Sequence, residues 1–274
     1  MSRMMITATN TLAQLQKQMD ITSHNMANVD TTGYKRREAT FTDLLVQQFA
    51  NQPNSADENR LTPNGLRQGT GAMLAQSQIV MAQGTVKRTE RQLDMAFTKD
   101  NQLFKVLVQA ETGSQVQYTR DGAFYLSPVS ETESMLVTSA GNAVLDENDN
   151  PIYINGQPEE LTISENGVLI AKGNTGAEQM FSLGIVRVNR PQFLEQQGGN
   201  LLSLQEGAEE IDVITELTGA LRGEAGVQQG VLEQSNVNMQ KEMTDLITVQ
   251  RAYQFQSRAI SMADQMMGLV NGIR

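Results

Sequence analysis

Apolar residues recur every seven positions at the start of this chain: Met5, Leu12, Met19 and Met26, with Ala8, Leu15, Thr22 and Val29 three residues after each. A heptad with two such positions lays a narrow stripe along an α-helix, the pattern of a coiled-coil seam. The positions between are mostly Gln, Asn, Thr and Lys, so the spacing predicts a polar rod with one apolar stripe, about 43 Å long at roughly 1.5 Å per residue. One stripe needs one partner. The other end repeats the device: Met239, Leu246, Tyr253, Ile260 and Met267 stand at sevens, with Val249, Ala263 and Val270 at threes, while Met243 and Ile247 widen the face. From about Leu232 to Val270 there is no Pro, and the only Gly is Gly268. The run predicts a helix of about 58 Å. Two such helices suit an intramolecular hairpin, and equally suit packing between chains.

Between the ends the period drops to two. The runs at 103 to 108, 116 to 126, 135 to 145, 151 to 154, 161 to 172 and 180 to 188 read as short strands separated by Gly, Asn, Asp and Pro. Arg-Asp-Gly at 120 to 122, Glu-Asn-Gly at 165 to 167 and Asn-Gly at 155 to 156 supply hairpin turns. Residues 51 to 66 are polar with two Pro and read as a linker. A Gly- and Gln-rich stretch, 190 to 231, reads as loose, with one further strand or a return arm near 209 to 219. The fold class is therefore α+β: long terminal helices forming a coiled-coil pair, with a central all-β domain. Residues 1 to 50 and 231 to 274 form the helical domain, 51 to 82 a linker or extended arm, and 83 to 230 the β domain with its return arm.

The formal charge is −10 over 274 residues, but it is not spread evenly. Residues 1 to 50 carry five Lys/Arg and four Asp/Glu, residues 231 to 274 carry four of each, and −11 remains for the segment between. Neutral ends can pack against copies of themselves, whereas a strongly acidic middle stays solvated and argues against nucleic acid as a partner. No apolar run reaches 18 residues, which argues against membrane insertion. Thr7, Thr9, Asn10 and Gln14 interrupt any signal-peptide core, so taken alone the sequence reads as cytoplasmic.

Catalytic chemistry finds no foothold in the motifs. His24 is the sole histidine and there is no Cys, so a histidine triad, a multi-histidine metal site and thiol chemistry are excluded within one chain. The run DENDN at 146 to 150 lacks the spaced ligands of a calcium loop and reads as a solvated turn. No glycine pattern cradles phosphate, and nothing singles out a carboxylate pair. No catalytic residue, cofactor or metal is assigned.

The stretch NMANVDTTGYK at 25 to 35 does resemble something known. Asn25, Asn28, Thr31, Gly33, Tyr34 and Lys35 match the N-terminal signature of the bacterial flagellar rod and hook proteins. Residues 232 to 260 are similar to that family's C-terminal signature, with Ser235, Asn236, Gln250, Arg251, Ala252 and Tyr253 at matching places. The segments at 83 to 97 and 118 to 124 match more loosely. Where the family usually has Gly-x-Gly-Phe-Phe, this chain reads Lys99-Asp100-Asn101-Gln102-Leu103-Phe104.

The resemblance implies a structural subunit of the flagellar basal-body rod, not an enzyme, whose terminal helices stack with those of other axial proteins into a torque-transmitting tube, with the β domain outside. The packing residues are then Met5, Ala8, Leu12, Leu15, Met19, Met26, Met239, Met243, Leu246, Tyr253, Ile260 and Met267. Gly33 would stop the first helix and let Tyr34 and the cluster Lys35-Arg36-Arg37 turn onto a neighbouring subunit. The family is exported unfolded by the flagellar type III apparatus without a cleaved signal, and Phe41 with Leu45 resembles its export motif. That origin replaces the cytoplasmic reading with the basal body. A hook or hook-junction subunit is the alternative within the family, and a self-contained coiled-coil binding module the alternative outside it. A hydrolase carried on a rod-like scaffold would need a carboxylate pair in a cleft of the β domain.

Overall fold

A computed structural model describes residues 2–43, 46–49, 66–69, 72–110, 113–156, 158–173, 178–198, 200–205, 207 and 210–272. The chain divides into two units. The first contains Met1–Met26, Arg37–Gln78 and Met239–Arg274; the second contains Ala27–Arg36 and Ile79–Asn238.

In the first unit, helix α1 runs Ser2–Ala27. Four strands follow: β1 (Arg37–Asp43), β2 (Val46–Phe49), β3 (Leu66–Gly69) and β4 (Ala72–Ile79). β1 pairs with β4, and β2 runs antiparallel to β3 with Phe49 opposite Leu66. The residues read as a linker are thus flanked by a paired ribbon; the linker itself falls largely outside the described residues.

The second unit holds β5 (Val86–Arg88), β6 (Met95–Phe97), β7 (Gln102–Ala110), β8 (Gly113–Thr119), β9 (Phe124–Pro128), β10 (Glu133–Thr138), β11 (Ala143–Val144) and β12 (Tyr153–Asn155). Next come β13 (Pro158–Ile163), β14 (Val168–Gly173), β15 (Glu178–Ser182), β16 (Ile185–Val188), β17 (Leu194–Gly198) and β18 (Leu201–Leu204). A single-turn helix α2 (Glu210–Val213), then β19 (Ile214–Glu216), β20 (Val227–Gln229) and β21 (Val231–Glu233), complete it. The largest sheet runs β12-β10-β11-β7-β8-β18-β17, with β16 also on β7, and β13-β14-β15 form a separate sheet.

Period-two burial explains why β7 is central. Phe104 and Val106 point into one core, where Phe104 stacks on Phe97 at 4.2 Å and meets Phe124 edge-on at 5.1 Å. Leu103, on the opposite face, joins a second core with Tyr118, Val186 and Val188. A strand buried on both faces reads as the near-continuous apolar run LFKVLV. Its Lys105 is buried, yet its ammonium reaches Asp149 at 2.6 Å and Glu216 at 2.9 Å, which hold its pKa above the ordinary value despite burial.

Four sequence expectations change, the first at Asn155-Gly156, which closes no hairpin because β12 pairs with β10 and β13 with β14. The C-terminal helix α3 spans Met239–Gly272, not from Leu232, because Val231–Glu233 pairs with β5 instead. Arg120, Asp121 and Gly122 are not a hairpin turn: β8 and β9 do not pair with each other, and Arg120 and Asp121 are buried. Among the described residues, the stretch 190 to 231 is built rather than loose, because Leu194, Leu202, Val213 and Ile214 enter the second core. Glu-Asn-Gly does turn between β13 and β14, with Gly167 at φ 73°.

Candidate functional site

The end of α1 is tied down by one amide. Asn25 donates Nδ2–H to the Arg37 carbonyl at 2.9 Å and accepts the Arg37 N–H at 3.0 Å. The same Nδ2 donates to Glu242 Oε2, in the first turn of α3, at 3.2 Å. A carboxylate there also suits the positive end of the helix dipole. Among the described residues this contact joins the two family signatures within the first unit. Asn28 Oδ1 accepts from Thr31 Oγ1 at 3.3 Å as the helix gives way to a turn.

Gly33 then takes φ 68°, and its N–H donates to the Glu233 carbonyl at 2.8 Å. A Cβ there would stand 2.4 Å from the backbone nitrogen of Asp121, so both conformation and space demand glycine. Thr32 donates to Asp121 Oδ1 at 3.0 Å, which also accepts the Ala123 N–H at 3.1 Å. Burial raises the Asp121 pKa against those bonds.

The following residues go inward. Tyr34 is 1% exposed and Lys35 is 4% exposed, so in this chain neither turns onto a neighbouring subunit as the sequence suggested. Lys35 Nζ meets Glu233 Oε1 at 2.6 Å and donates to the carbonyls of Ala82 at 2.8 Å and Met81 at 3.4 Å. Arg120 Nε meets the other carboxylate oxygen at 2.6 Å, while its Nη1 and Nη2 donate to the carbonyls of Gln102 and Lys99. The Gly84 N–H adds a bond to Glu233 Oε1 at 2.8 Å. Burial, then the Arg120 charge, lowers the Lys35 pKa, and burial lowers that of Arg120. For Glu233 burial pushes upward, but the charges of Arg120 and Lys35 outweigh it and hold the carboxyl below its usual value. Sequence reasoning missed Glu233 and Arg120; Glu233 stood hidden inside what looked like the first turn of a helix.

The C-terminal signature begins in the same cluster. Asn236 Oδ1 accepts the Arg36 N–H at 2.7 Å, and its Nδ2 donates to the carbonyls of Val80 and Ala82. Ser235 Oγ accepts the Val237 N–H at 3.3 Å. Gln250, Arg251 and Ala252 are exposed on α3. Near the missing Gly-x-Gly-Phe-Phe turn, Asn101 adopts φ 60° without glycine, a conformation Asn tolerates better than most residues.

The helical seams appear as sheltered faces. On α1, Ala8 and Thr22 are buried while Met5, Leu12, Leu15, Met19 and Met26 are half-buried; Thr22 satisfies its hydroxyl on the Gln18 carbonyl. On α3, Glu242, Val249 and Ala263 are buried, and Met239, Leu246, Tyr253, Ile260 and Met267 are half-buried. Met243 and Ile247 do not widen that face. Each is 49% exposed, because at 100° per residue they stand on the flank of the seam, about 60° and about 100° round the helix from Leu246 and away from buried Glu242 and Val249. Phe255, Met262, Met266 and Leu269, farther round, give α3 an exposed apolar side opposite the sheltered one. Phe41 is also exposed; Leu45 lies outside the described residues.

Among the described residues no group of three or more His, Cys, Asp or Glu is placed to hold a metal ion, and no helix is long and apolar enough to cross a membrane. Long helices at both chain ends and a β-rich segment between them in sequence make this an α+β protein. Three family profiles match: "Flagella basal body rod protein" over residues 5–35, "Flagellar hook protein FlgE/F/G D1 domain" over 101–171, and "Flagellar basal body rod FlgEFG protein C-terminal" over 228–273. The chain is 46% identical to the flagellar hook-basal body complex protein FlhP of Bacillus subtilis, over 100% of both chains. It is 34% identical to the flagellar basal-body rod protein FlgG of Borreliella burgdorferi, over 100% of this chain and 99% of the relative. The chain belongs to the flagellar basal-body rod protein family and is a structural subunit of that rod.

Proposed function

We propose that the chain polymerises through α1 and α3 into the axial tube that carries torque to the hook. The sheltered seams of the two helices pair as a coiled coil within one subunit. The exposed side of α3, Phe255, Met262, Met266 and Leu269, packs against copies of this chain and other axial proteins. That second apolar side carries the reading: a 34-residue helix with large side chains exposed opposite its sheltered face has a surface left to bury. The near-neutral ends remove like-charge repulsion between copies, and Met fills irregular gaps between staggered helices. A contact that repeats without closing builds a helical filament. The subunit reaches the basal body through the flagellar type III apparatus, with Phe41 and Leu45 as the export motif.

The test is complementation of a strain lacking this protein, followed by motility assays and electron microscopy of basal bodies. The intact chain should restore rods, and the Phe255→Asp/Met262→Asp variant should be made and exported yet restore none. Normal rods with that variant would remove α3's exposed side from assembly.

A further inference from the structure

Lys35, Arg120 and Glu233 come from three remote parts of the second unit, and each side chain is 3% exposed or less. Two cations share one carboxylate, which two bonds of 2.6 Å and the Gly84 N–H fully engage. Without Glu233 the same geometry would bury two positive charges with only the exposed Asp100 to offset them, a state far costlier than the broken pair alone. Glu233 is also the last residue of the last strand of the unit, which ends at Asn238. We propose that Glu233 is a closing counter-ion: the β-rich unit cannot close around Lys35 and Arg120 until the final strand delivers its carboxylate. A chain emerging N-terminus first from any channel therefore stays open until nearly all of the unit has left it. The gate lies in charge rather than in lost strand pairing, because β21 contributes only three residues to a two-stranded sheet.

Two measurements on the full chain test this. In hydrogen exchange, Glu233→Gln should speed exchange by about 100- to 1,000-fold even in β7 and β8. Adding Lys35→Met, which returns the cluster to its original net charge, should recover at least about tenfold of that loss; no recovery would overturn the proposal. In the second, translation of the full-length chain is stalled at two points, one with Glu233 still inside the exit tunnel and one after a C-terminal linker has carried it out. Wild type should resist protease in the second unit only when released, whereas Lys35→Met/Arg120→Met/Glu233→Gln should resist it in both states. Wild-type resistance with Glu233 still held, or a fully neutralised chain that resists only on release, would each show that charge does not gate closure.

Discussion

Gly33 is the position where one added carbon meets the most resistance. Its φ of 68° costs most other residues about 1–2 kcal/mol, and the Asp121 backbone leaves no room for a Cβ. Gly141 shares the left-handed conformation, at φ 83°, but has nothing within 4 Å of a Cβ. Gly141→Ala should therefore lose only the conformational term, and Gly33→Ala substantially more, read from urea midpoints. Equal losses would mean that the Asp121 backbone yields easily. The sequence marked Gly33 as the stop of the first helix, whereas α1 already ends at Ala27 and the Gly33 N–H donates to the Glu233 carbonyl. Its close packing was not legible, because the obstructing backbone lies 88 residues away in the chain.

At the scale of elements, α3 shows how far a pattern reaches. The seven-residue repeat located the sheltered face, with Leu246, Tyr253 and Ile260 on it, because an apolar stripe is a property of spacing alone. The helix start was misplaced because LEQSN reads equally well as helix, and only the buried partners of Glu233 commit that carboxylate to a strand. Ile260→Asp should weaken the first unit in the isolated subunit by about 2 kcal/mol, since it trades a sheltered side chain for a carboxylate. Phe255→Asp, at 71% exposure, should leave the isolated subunit's thermal melting followed by circular dichroism almost unmoved. If both variants melted alike, the two sides of α3 would not differ as their exposure indicates.

Across the molecule, alternation and turn residues foretold most strands of the second unit, but not the partners of β5, β20 and β21. Those pairings join segments more than 100 residues apart and leave no local periodic trace. The displaced titrations of Glu233 and Asp121 both belong to this unit and act in opposite senses. The Glu233 carboxyl is held below its unfolded pKa of about 4.3, so its contribution is present above that value and is lost as pH falls through the folded one. The Asp121 carboxyl is held above its unfolded pKa of about 3.9, so its contribution is present below that value and is lost as pH rises through the folded one. From neutral toward about pH 4 the Asp121 contribution should thus grow while that of Glu233 persists, and further acidification should remove the latter. Asp121→Asn keeps an oxygen to accept from Thr32 and Ala123 but has no charge to bury. Urea midpoints of the second unit, followed by tyrosine fluorescence between pH 7 and 3, should show its neutral limb flattened and its acid fall intact. An unchanged slope on the neutral limb would assign the gain to another group, whereas loss of the acid fall would mean that Asp121, not Glu233, governs closure in acid.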